Sequence, residues 1–170
     1  YFYNNTSEED TSVYQLTGDV YFARNNPKTA PSFGGTLDGN GHTIWNFERT
    51  AWGGTVVVFT KVSGAIKNIT FEGLNLSTGE NGDSALMTTL SGTLSNVHVK
   101  NATYKGGYVA GLSKNISGTA STEITVENCS VQGTMKSVGG NAAYVGGVFA
   151  RVDGPAAGLN ILGCTIDVTV

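Results

Sequence analysis

The stretch Ile66-Lys67-Asn68-Ile69-Thr70-Phe71 decides how this chain folds. Side chains on a straight strand alternate between its two faces, so residues of one parity share a face. Ile66 is even whereas Ile69 and Phe71 are odd, and no straight strand turns all three to one side. A single bend at Asn68 brings them together. Apart from Gly, Asn is the residue that best tolerates the left-handed backbone such a bend requires.

The same phase slip recurs on either side. Ile44-Trp45-Asn46-Phe47, Leu94-Ser95-Asn96-Val97-His98-Val99 and Val126-Glu127-Asn128-Cys129-Ser130-Val131 carry Asn at the slip, and Ile161-Leu162-Gly163-Cys164-Thr165-Ile166 carries Gly. Asn46, Asn68, Asn96, Asn128 and Gly163 follow one another at steps of 22, 28, 32 and 35 residues. A second apolar run precedes each bend, at Val56–Phe59, Ser84–Met87, Tyr108–Leu112 and Tyr144–Phe149. Recurrence at such periods marks a repeat array. The expected fold is all-β: a parallel β-helix, or solenoid, of about five coils. The five bend residues would form a ladder, with Phe47, Ile69, Val97, Cys129 and Cys164 stacked inside. With 22 residues as the basic coil, the longer steps imply insertions of 6, 10 and 13 residues. Their sites would be Ser77–Asp83, Lys114–Ser121, Lys136–Ala142 and Asp153–Gly158, rich in Gly, Ser and Asn.

Residues 1–32 read as an N-terminal cap with the first strands, and residues 33–170 as coils. Apolar alternation running to Val170 leads to the expectation of a longer solenoid or a multidomain protein. Charged residues form 14% of the chain, hydrophobic ones 39%, and Gly accounts for 24 positions, which suits turns and β-surfaces rather than disorder. A net charge of −3 offers no attraction for nucleic acid. No apolar run approaches the roughly 20 residues of a spanning helix, so no membrane insertion is expected.

Phe33-Gly34-Gly35-Thr36-Leu37-Asp38-Gly39-Asn40-Gly41-His42-Thr43-Ile44 resembles the opening coil of bacterial surface proteins with GLUG-type repeats. Tyr14–Val20 is similar to the segment that precedes it there, and Ala110–Ser113 and Gly146–Ala150 resemble degenerate copies of the repeat core. The resemblance implies a right-handed β-helix on cell-surface or secreted bacterial proteins. Some members are adhesin-like, some accompany peptidases and some resemble polysaccharide-acting enzymes. It supplies no catalytic motif to transfer.

Among candidate chemistry, Asp38 and His42 invite an acid/base reading, but Asp-Gly-Asn-Gly is turn chemistry, and parity with Ile44 would face His42 inward. Glycoside hydrolysis needs two carboxylates across a cleft, and the acids here are scattered without a coil-to-coil offset. Glu72 and Lys100 would make a minor surface ion pair. Cys129 and Cys164, 35 residues apart, would be stacked thiols rather than a disulfide or metal ligands. Tyr104, Tyr108 and Tyr144 form the best candidate contact row for a glycan or protein, beside simple stacking up the array. Trp45 and Trp52 are sugar-stacking candidates unless the N-terminal segment covers them. These readings predict a non-catalytic structural or adhesive module, monomeric and extracellular or on the bacterial cell surface. It would need no cofactor and no metal, and would present loops to a glycan or host surface protein. The alternatives are a fragment of a polysaccharide lyase or glycoside hydrolase, and a passive spacer.

Overall fold

A computed structural model describes residues 6–22, 30–139, 144–153 and 158–170. Every regular element among them is a strand, and no helix there is long and apolar enough to cross a membrane. The chain opens with β1 (Val13–Gln15), β2 (Val20–Tyr21) and β3 (Ser32–Phe33). It continues with β4 (Thr36–Asp38), β5 (Thr43–Trp45), β6 (Glu48–Thr50) and β7 (Val56–Val62), then β8 (Ala65–Glu72), β9 (Asn75–Ser77) and β10 (Asp83–Leu90). Next come β11 (Thr93–Gly106), β12 (Tyr108–Ala110) and β13 (Ser113–Ile116). The last are β14 (Glu123–Glu127), β15 (Ser130–Ser137), β16 (Tyr144–Gly146), β17 (Phe149–Val152), β18 (Gly158–Leu162) and β19 (Thr165–Thr169).

The strands form a 12-stranded and a 7-stranded sheet, paired in parallel. Parallel neighbours cannot be joined by a hairpin. Between two paired strands of one sheet, the chain therefore visits the other: β8 and β11 of the larger sheet are separated by β10 of the smaller. Ile66, Leu94, Val126 and Ile161 stand in register on successive strands of the larger sheet. Phe59 and Met87 do the same in the smaller. Both sheets turn these residues into one core, where Ile66, Leu94, Val126 and Met87 are fully buried. Each such side chain contributes about 1.5–3 kcal/mol on burial.

The backbone turns left-handed at two columns of positions. Asn68, Asn96, Asn128 and Gly163 have φ of 53°, 53°, 51° and 61°. Asn46, Gly73 and Asn101 have φ of 57°, 69° and 49° and stand in register with one another. The chain thus bends twice, five residues apart, at Asn68/Gly73 and at Asn96/Asn101, rather than once. Asn46 therefore does not lie beneath Asn68, as one ladder would require, and its step of 22 does not measure a repeat. Phe47 correspondingly belongs with Leu74 and Ala102, not with Ile69 and Val97. Beneath Asn68 lie Asp38 and Gly39: Asn96 Nδ2 donates to Asn68 Oδ1 at 3.0 Å, and Asn68 Nδ2 donates to Asp38 Oδ1 at 3.1 Å. Asp38 also accepts from Asn40 N at 2.9 Å, the side-chain turn expected of it. Gly39 is required by proximity rather than by φ, since a Cβ there would lie 2.4 Å from Asn68 O.

At the N-terminal end β1 pairs with β4, β2 with β5 and β3 with β7, and Phe22 packs edge-on against Phe47 at 5.2 Å. Asp19 fastens this layer, accepting from Thr43 N at 3.0 Å and from Trp45 Nε1 at 3.2 Å. Of the expected cap, residues 1–5 and 23–29 lie outside the described residues, as do 140–142 and 154–157 of the expected insertions. Cys129 and Cys164 are free, the first buried and the second half-buried, and burial pushes the Cys129 thiol up to about 11. At the other end Ile161 and Ile166 are 46% and 39% exposed, where Val126 and Val131, one layer earlier, are buried.

Replacing Asn96 tests the bend. Asn96→Leu should cost about 2–3 kcal/mol, combining a left-handed branched residue at about 1–2 kcal/mol with a lost hydrogen bond of about 1. Asn96→Gly should lose only the hydrogen bond, and urea denaturation would rank the two. Acid should loosen the N-terminal layer. Hydrogen bonds hold the carboxyls of Asp10, Asp19 and Asp38 below their usual value, the largest contributions coming from backbone N–H groups of Ser12, Thr43 and Asn40 respectively. For a depressed carboxyl the stabilisation is complete above the unfolded value of 3.8 and is lost as pH falls below it through the folded value. Indole fluorescence followed downward from pH about 5 should change in that window.

Candidate binding corner

Where the chain passes from the larger sheet to the smaller, its turns stack. Ala51 N donates to Ser77 O at 3.0 Å, Thr78 N to Lys105 O at 2.8 Å, and Gly107 N to Gly82 O at 2.8 Å. Gly82 packs so closely beneath the preceding turn that a Cβ would lie 2.3 Å from Gly54 O. Backbone contact of this kind fixes the corner while leaving side chains of the turns outside.

Trp52 sits at this corner fully exposed. Beside it opens a cleft of about 450 Å³ lined by Thr50, Trp52, Ser77, Thr78 and Lys105. Next along the corner, Tyr108 and Tyr144 pair in register on β12 and β16, with rings stacked 5.0 Å apart at 13°. Lys114 Nζ lies 4.9 Å over the Tyr108 ring and 2.7 Å from Asp83 Oδ2, which also accepts from Thr55 Oγ1 at 3.0 Å. A cation over an aromatic face and an ion pair orient this row.

Tyr104 is not part of the surface. The bend at Asn101 turns Ala102 and Tyr104 inward, Tyr104 is wholly buried, and its hydroxyl donates to Gly111 O at 2.9 Å. Burial raises its phenol far above the ordinary value. Sequence reading placed it outside because Asn101 was not recognised as a second bend. Trp45 lies apart from the corner, stacked on Tyr21 at 5.8 Å and 3°, so the N-terminal layer covers one of its faces. That layer does not cover Trp52.

His42 points not into the core but to Asp19, Nδ1 lying 3.3 Å from Oδ1, and Asp38 is engaged with the amide ladder and with Lys67 at 3.4 Å. Asp38 and His42 are therefore not partners. Glu72 is bonded to Asn101 Nδ2 rather than paired with Lys100. His98, which the sequence reading passed over, has Nδ1 2.9 Å from Ser130 Oγ, and burial lowers its pKa. A neutral imidazole beside a hydroxyl resembles a nucleophile and its base. Here the pair lies on β11 and β15, strands whose backbone is engaged in parallel pairing. Among the described residues no three of His, Cys, Asp and Glu converge as a metal site.

No family model matches the chain, and no curated protein matches it. Among solved structures, similarity is found to a "putative immunoglobulin A1 protease from Bacteroides ovatus", at 12% identity and a TM-score of 0.42, covering 96% of this chain and 80% of that one. At that distance the likeness carries neither an activity nor a substrate to this chain.

Proposed function

We propose that the chain is a stretch of right-handed parallel β-helix, about five coils with an N-terminal cap, from a bacterial cell-surface or secreted protein. It acts by display rather than catalysis, presenting the corner of Trp52, Tyr108 and Tyr144 to a glycan on a host or neighbouring surface. The observation that carries this reading is Trp52, a large aromatic left fully exposed beside a cleft on a corner whose backbone is locked by hydrogen bonds. An exposed indole on a rigid support offers an apolar face to a sugar ring with little ordering cost. The succession of parallel pairings between two sheets around one core supports the solenoid architecture. The carboxyls of Asp10, Asp19 and Asp38 are held below their usual range, which suits anchoring and not proton donation at neutral pH.

A glycan and matrix-protein array probed with the whole chain tests the reading. Binding to a defined set of glycans is expected, reduced about tenfold or more in Trp52→Ala with unchanged thermal stability. Tyr144→Ala should weaken it less, because Tyr108 remains. A blank array would reduce the chain to a spacer, and depolymerisation of a polysaccharide would make it an enzyme fragment.

A further inference from the structure

The strand ends leading into the corner carry an unusual pairing. Lys105 on β11 and Lys136 on β15 are exact register partners, and both are exposed. Neighbouring strands lie about 4.8 Å apart, so two like-charged side chains leave the sheet at the same level, a pairing that is destabilising. Three lysines are neutralised, Lys61 by Glu8 at 2.6 Å, Lys67 by Asp38 at 3.4 Å and Lys114 by Asp83 at 2.7 Å, whereas Lys100 is not paired with its neighbour Glu72. Among the described residues neither Lys105 nor Lys136 has a carboxylate within ion-pair distance.

The surroundings favour a polar ligand. Lys105 shares its row with Ser77 and, one strand further, Thr50, and it lines the cleft with Trp52. The row alongside holds Asn75, Thr103 and Thr134, with Glu48 at its far end accepting from Asn75 Nδ2 at 3.2 Å. Neither Glu80, on the turn that follows Ser77, nor Lys136 is among the residues lining the cleft. One edge of the cleft is therefore aromatic, its floor hydroxylic and its other side cationic at Lys105, with Lys136 one strand beyond. In a chain of net charge −3 this is a local reversal of sign.

We infer that the cleft between Trp52 and Lys105 binds a carboxylate-bearing saccharide, a sugar ring lying on the indole and a carboxylate reaching Lys105 and its register neighbour Lys136. The inference rests on the proposed glycan reading and deepens it to acidic sugars. A ligand carboxylate removes the like-charge repulsion and gains two charge-assisted hydrogen bonds. A neutral sugar leaves the repulsion in place.

Calorimetry on the whole chain with hexagalacturonate and sialyllactose, each beside its uncharged methyl ester, separates the possibilities. At least one acid should bind about tenfold tighter than its ester, as two partly exposed ion pairs allow. The preference should collapse in about 1 M NaCl, where the Debye length falls to about 3 Å. Lys105→Gln with Lys136→Gln should abolish the preference, bringing acid and ester to the same affinity, whereas Trp52→Ala should weaken both forms. Equal affinity for acid and ester, or a preference untouched by the lysine changes, overturns this inference and leaves the glycan reading intact. Failure of every probe to bind overturns the inference, and a blank array in addition overturns the reading beneath it.

Discussion

A left-handed backbone costs an ordinary L-residue about 1–2 kcal/mol, yet this chain adopts it at Asn46, Asn68, Asn96, Asn101 and Asn128. The rest of the structure depends on those bends. Without them, the period of two along a strand would carry Ile69 and Phe71 away from the side that holds Ile66, and the core would lose one residue of every pair. Because the bends fall in register on paired strands, correcting the phase in one layer corrects it in the next. The amides then satisfy one another across layers, which explains why Asn serves at Asn68 and Asn96 where Gly would suffice for φ alone.

Much of this was legible in the residues. Parity around Asn68 was sufficient to place a bend and to put Ile66, Ile69 and Phe71 inside together, and all three are buried. Asn101 and Gly73 were missed because they lie near the outward Lys100 and Glu72, where polar residues attract no attention. That omission put Tyr104 on the surface and gave Asn46 to the wrong column. Phase errors of this kind propagate, since one unrecognised bend inverts the orientation of every later residue on the strand.

The corner was harder to read. Trp52, Lys105 and Tyr144 are far apart along the chain, and only the register of parallel strands assembles them. Lys105 and Lys136 give no motif at a spacing of 31 residues, because the step between layers is not constant. The division of labour that results is physical. Core rows are conservative in character because each must fit the layer above and below, whereas the corner's side chains face solvent and are limited only by the backbone of their turns.

The amide ladder has a direction. Asn96 donates to Asn68 and Asn68 to Asp38, so both side-chain dipoles point the same way and end on a carboxylate. The molecule thereby carries a short electrical polarity along the stacking direction, distinct from that of any helix, with its positive N–H end turned to the carboxylate of Asp38. Asp38 is then less a member of the file than its ground terminal.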